Sequence, residues 1–178
     1  MAGGLGDLIK QVVAAFSGSG SGGGSSNSKQ QVIDYLTDKG YSNEAVAGIT
    51  ANIEVETGGT FDYKQKELDD AGKPKKDGGE GLFQFGFAMK NSYNDYLKNK
   101  KQKDSIESQI DFMDEVVKGT WSPGLPNMDT TIIKGELFSG KFGPDRIAES
   151  FNTLFEEGQL QTKYGNRKDI AIDIYKDL

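Results

Sequence analysis

The 178-residue chain contains neither cysteine nor histidine. The first absence rules out disulfides, thiolate nucleophiles and cysteine metal sites. The second removes Ser-His-Asp and Cys-His catalysis together with the usual zinc ligand sets. Chemistry is left to carboxylates, hydroxyls, amides and amines. Proline occurs four times and tryptophan once. No apolar run approaches the length of a membrane span. Basic charge is also short: 21 Lys and Arg stand against 27 Asp and Glu, a net of −6. That balance argues against a partner bound by neutralising phosphates, so no nucleic acid is expected. The start, "MAGGLGDLIKQVVAAF", lacks a basic n-region and has too short an apolar run for a signal peptide.

Glycine is abundant at 24 residues, many of them near the N-terminus. Leu5, Leu8, Ile9, Val12, Val13 and Phe16 follow helical spacing and predict an amphipathic helix over 1–16. Residues 17–28, "SGSGSGGGSSNS", read as a flexible linker reaching roughly 20 Å. So short a helix is marginal alone and needs a surface to lie on. It is read as a docking peg, against the alternative of a disordered tail or expression remnant. The compact domain is expected over 29–178. Its helices are predicted around Val32–Leu36, from Ser42 to Glu56, through Met89–Leu97 into Lys98–Lys103, through Ile106–Val117, from Pro144 to a stop at Gly158, and through Ile170–Leu178. Residues 130–143 read as a short helix or irregular segment. From Tyr63 to Gly81 the chain is polar and has no helical period. A connection of that length is more often functional than idle.

The stretch "AGITANIEVETGG" (47–59) carries two glutamates two positions apart. Residues so spaced leave a helix in nearly opposite directions. Glu56 shares the stripe of Ile49, Asn52 and Ile53, whereas Glu54 points to the flank. A carboxylate on that stripe must be paired or protonated. Burial and the negative end of the helix dipole would both favour the proton, the state a general acid needs. The plainer alternative is a rim glutamate snorkelling to water or bridging to a lysine. After the polar excursion, "GEGLFQFG" (79–86) places the Gln84 amide between Phe83 and Phe85, groups suited to sugar hydroxyls and sugar faces.

"YLTDKGYSNEAVAGITANIEVETGG" followed by "GEGLFQFG" resembles the phage tail lysozyme family. Members carry a helix end like "ESG" whose glutamate is the acid, then a return like "GLxQW". The resemblance matches Glu56 to the acid and Gln84 to the glutamine. The closing segment, "RIAESFNTLFEEG…NRKDIAIDIYKDL", is similar to the family's last helix pair, with Phe155 and Glu156 on its aromatic-Glu turn. Three departures stand out: ETG for ESG, Phe85 for tryptophan, and EEG for the Arg-Pro part of the closing turn.

The resemblance implies a mainly α, lysozyme-like α+β fold in which a small polar loop or β excursion flanks the active-site cleft. It implies cleavage of peptidoglycan glycan strands, with substrate held by Phe83, Gln84, Phe85, Phe155 and Glu156. No cofactor or metal is expected. A second carboxylate is expected on the excursion, where Asp62, Asp69, Asp70, Asp77 and Glu80 are available; Glu80 is the first choice and Asp70 the second. Without one, a lytic transglycosylase reaction is the alternative. The setting implied is a phage tail or baseplate, joined through the N-terminal helix, with action in the host wall or periplasm. A non-catalytic plug of the tail tip is the competing role.

Overall fold

The computed structural model describes residues 24–124, 130–155 and 167–178. The predicted docking helix over 1–16 lies outside them. Seven helices are described: α1 (Gly24–Asp38), α2 (Asn43–Glu56), α3 (Phe87–Lys100), α4 (Ile106–Lys118), α5 (Thr131–Ser139), α6 (Pro144–Phe155) and α7 (Arg167–Asp177). The mainly helical expectation is borne out. Helix α1 begins at Gly24, inside the stretch read as linker up to residue 28.

Local chemistry sets the boundaries. The Ser42 hydroxyl accepts from Ala45 N at 3.3 Å and starts α2. Ser105 and Ser108 form a reciprocal capping box at the start of α4, and Gly119 closes that helix in the left-handed conformation. The 130–143 stretch settles as α5 because Ile133 and Leu137, one helical turn apart, both reach the core.

Helix α2 is the axis of the fold. It packs against α6 and α7 on one side and α1 on another, with α5 alongside. Its residues from Ala45 to Ile53 are all buried, so it is a central helix and not the one-striped amphipathic element that its spacing suggested. Small residues permit this. Ala47 and Ala51 meet Ala148 of α6 and Ala171 and Ile174 of α7 in a satellite core. At Gly48 a Cβ would lie 2.7 Å from Ile147 Cγ2 and 3.0 Å from Ala148 N, so only glycine lets α6 approach that closely. The Asn52 amide, buried on the same side, donates to Gly48 O at 2.9 Å and Ala148 O at 3.0 Å, lacing α2 to α6.

The main core lies between α2, α4 and α6, with Ile49, Ile53, Ile110, Met113, Ile147 and Phe151 inaccessible or nearly so. The excursion from Tyr63 to Phe85 forms isolated antiparallel bridges, Lys66 with Glu80, Leu68 with Pro74 and Glu80 with Phe85, and no strand among the described residues. Its glycines, lysines and proline lack the alternating apolar side chains that extend a ladder. A side chain holds its base instead. Gln109, buried on α4, accepts from Leu82 N at 2.8 Å and donates to Tyr63 O at 2.8 Å and Asp104 at 2.9 Å. Gly81, at φ +80°, passes so close that a Cβ would sit 2.4 Å from the Gln109 amide oxygen.

Candidate active site

The last turn of α2 presents its two glutamates to different partners. The Glu54 carboxylate turns to α1, where it meets Lys29 Nζ at 2.7 Å. The Glu56 Oε1 accepts from Arg167 Nη2, the first residue of α7, at 2.5 Å. The Glu56 side chain is 19% exposed and that of Arg167 15%. Glu56 is thus close to the surface and already compensated. Of the two ways a carboxylate survives near a core, paired or protonated, the structure shows pairing, with an arginine and not the lysine of the plainer reading. Past Glu56, the Thr57 hydroxyl donates to Ile53 O at 2.7 Å and accepts from Phe61 N at 3.1 Å, which folds the chain back under the helix end.

Across the excursion, Glu80 lies between two ammonium groups, Lys90 Nζ at 2.6 Å and Lys66 Nζ at 3.4 Å. Burial works against its charge, but the hydrogen bonds and charges of Lys90 and Lys66 outweigh it and hold the carboxyl below the usual glutamate value. Gln84 sits in the left-handed region at φ 45°, its amide donating to Gly81 O at 2.9 Å. Gly79 passes beneath it, leaving no room for a Cβ. The "GEGLFQFG" return is therefore a tight turn that ties the amide to the backbone of Gly81.

Phe83 and Phe85 require a correction. Both are buried, at 4% and 3% exposure. Phe83 stacks on Phe85 at 5.5 Å and leans on Phe151 at 5.9 Å. Phe85 also contacts Tyr93 at 5.5 Å and Phe112 edge-on at 5.3 Å. Rings so covered have no face left for a sugar. Leu82 beside them is wholly buried too, so the turn packs its consecutive apolar residues inward and leaves Gln84 as its partly exposed member.

The other candidates divide as follows. Asp69 builds the excursion's tip, its Oδ1 accepting from Ala71 N and Lys73 N, both at 2.9 Å. Asp70 beside it is exposed, as is Asp77. Asp62 caps the turn at Lys64 N and lines an open depression of about 420 Å³ with Gln31, Thr60 and Tyr63. A second depression, about 440 Å³, lies beside Lys118, Lys134 and Phe138. Neither is bordered by Glu56 or Glu80. Phe155 ends α6, but its side chain and all of Glu156 lie outside the described residues.

The sequence reading missed three groups of residues around these positions. Arg167 is 111 residues from Glu56, Gln109 is a lone amide on α4, and Lys66 and Lys90 flank Glu80 from two elements. Only a polar residue at an inward position of α4, Gln109, left a trace in the spacing.

No curated protein is similar enough to the chain to count as a match. A family match, by contrast, spans most of its length. The helical frame, the polar excursion and a carboxylate at the end of the central helix agree with that match, from residue 27 to residue 178: the chain belongs to the phage tail lysozyme family.

Proposed function

We propose that the protein cleaves the glycan strands of peptidoglycan during phage entry, with Glu56 as general acid. The observation that carries this reading is the position of Glu56. It stands on the last turn of the buried central helix of a phage tail lysozyme, near the surface, with a rigid helix behind it. Glu56 gives its proton to the glycosidic oxygen as the bond from that oxygen to the anomeric carbon breaks. The leaving sugar departs as an alcohol, and water attacks the anomeric carbon as its own proton passes to a base.

Glu80 is the residue proposed for the base. Two lysines keep it ionised, the state that accepts a proton. Asp70, exposed on the excursion, is the alternative. Gln84, on its turn beside Glu80, is the proposed contact to sugar hydroxyl or N-acetyl groups. In the tail, the predicted helix over 1–16 would fasten the enzyme to tail or baseplate proteins.

The test is the clearing of a peptidoglycan suspension by Glu56→Gln against wild type. Unchanged clearing with Glu56→Gln rules Glu56 out as the acid. Mass spectrometry of the released ends separates the chemistries. Reducing ends indicate hydrolysis and a base, whereas anhydro ends indicate a transglycosylase that needs none.

A further inference from the structure

We infer that Arg167 is a positioning residue for Glu56: it fixes one carboxylate oxygen and stabilises the charge that appears when the proton leaves the other. This rests on Glu56 being the acid. Among the described residues Arg167 is the group that contacts the Glu56 carboxylate, through Nη2 to Oε1 at 2.5 Å. With Oε1 engaged, Oε2 is the oxygen to carry the proton. A carboxyl acid acts best when its rotation is stopped and its proton is aimed at one place.

The placement of the two charges supports a role beyond holding the fold. Glu56 stands at the C-terminal end of α2, where the helix dipole is unfavourable to an anion. Arg167 stands at the N-terminal end of α7, where the dipole is unfavourable to a cation. Neither residue is explained by its own helix, and each is compensated by the other. The crossing that joins them is already secured by apolar contact, since Ala47 and Ala51 pack against Ala171 and Ile174. The ion pair is therefore not the sole tie between α2 and α7, and the packing of the two helices brings the guanidinium to the acid.

The electrostatics follow the reaction. In the protonated form that a general acid requires, Glu56 carries no charge and Arg167 donates only a hydrogen bond to it. As the proton moves from Oε2 to the glycosidic oxygen, negative charge grows on the carboxylate within reach of a fixed cation. An interaction stronger in the transition state than in the ground state raises kcat and leaves KM nearly unchanged. When the carboxylate is later reprotonated, the same contact returns it to the same rotamer.

The test uses the full chain, with kcat and KM measured on soluble glycan oligomers and thermal midpoints recorded for each variant. Arg167→Gln is expected to lower kcat by about 10- to 100-fold, the range that a charge-assisted hydrogen bond spans, with KM within about twofold. Arg167→Lys, which restores a cation, is expected to recover part of that loss. In Glu56→Gln the arginine has no charge to stabilise, so adding Arg167→Gln to it should cost no further activity. Should Arg167→Gln fail to fold, Arg167→Met, which keeps the length of the stem and lacks the cation, carries the same comparison with Arg167→Lys. The inference is overturned if Arg167→Gln lowers the midpoint but leaves kcat within twofold of wild type. It is equally overturned if kcat rises, which would make the pair a latch, or if KM alone changes. Those results, with Glu56→Gln inactive, leave the assignment of the acid standing. An active Glu56→Gln would remove the acid and this inference together.

Discussion

Replacing Phe85 separates a core ring from a sugar platform, because the two roles fail in different assays. The side chain is 3% exposed, and its ring touches three others at centroid distances of 5.3 to 5.5 Å. Truncating a buried phenylalanine to alanine costs about 3–5 kcal/mol, a span that includes the cavity left behind. A domain of this size has a total stability of about 5–15 kcal/mol and loses about 2–4 °C of Tm per kcal/mol. Phe85→Ala is therefore expected to lower Tm by about 6–20 °C. Phe85→Leu keeps most of the volume and should cost less than about 1.5 kcal/mol. The assay pairs calorimetry with KM for soluble glycan oligomers, taken well below the lower Tm. The core assignment requires a large Tm loss for alanine, a small one for leucine, and the same KM for leucine as for wild type. A KM raised by Phe85→Leu while Tm stays put would refute it and return the ring to the substrate.

Other perturbations follow from the same contacts. Burial opposes the charge of Asp114, but hydrogen bonds from Tyr41 and Lys118 and the ammonium groups of Lys39 and Lys118 outweigh it and hold the carboxyl below its ordinary 3.8. A depressed carboxyl contributes stability above its unfolded value that fades as pH falls through the folded one. Urea titrations across the acid range should accordingly show Asp114→Asn about 1.5–3 kcal/mol less stable at neutral pH and less sensitive to acid. Gly81→Ala combines a positive φ with a collision against Gln109, and a loss of about 1–3 kcal/mol by urea denaturation is expected. Glu80→Gln should abolish release of reducing ends if Glu80 is the base; intact release would pass that role to Asp70 or to the substrate. Deleting residues 1–16 should spare activity in solution and prevent incorporation into particles, with co-purification as the readout.

What the sequence disclosed, and what it did not, follows the range of the interactions. Helix α4 is legible because its signals are local: the spacing from Ile106 to Val117 and Gly119 at the end. The opposite directions of Glu54 and Glu56 were equally readable, since a helix fixes the angle between neighbours. Arg167 was not, because it stands 111 residues from Glu56 in the chain and only the docking of α7 brings it there. Helix α2 misled for another reason. Alanine and glycine weigh little in a hydrophobic pattern, yet at Ala47, Gly48 and Ala51 they mark the faces where other helices come closest. The excursion was recognised by its lack of period, but its anchor is Gln109, whose amide reads as polar surface until the bonds to Leu82 and Tyr63 are seen.

The small-residue face of α2 also bears on the order of folding. Helix α1 precedes α2 by only a few residues of turn, whereas the partners of this face, Ala148, Ala171 and Ile174, lie about a hundred residues or more further along. Closing so long a loop is entropically slow, and contacts of large sequence separation tend to form late. During synthesis the central helix must wait with one flank uncovered, an alanine-rich strip that offers other chains less adhesive surface than leucine would. The Glu56 carboxylate waits with it, solvated by water until α7 docks. Assembly of the site would then be the last step of folding, and a stopped-flow signal from the glutamate end of α2 should lag behind one from the α1–α2 turn.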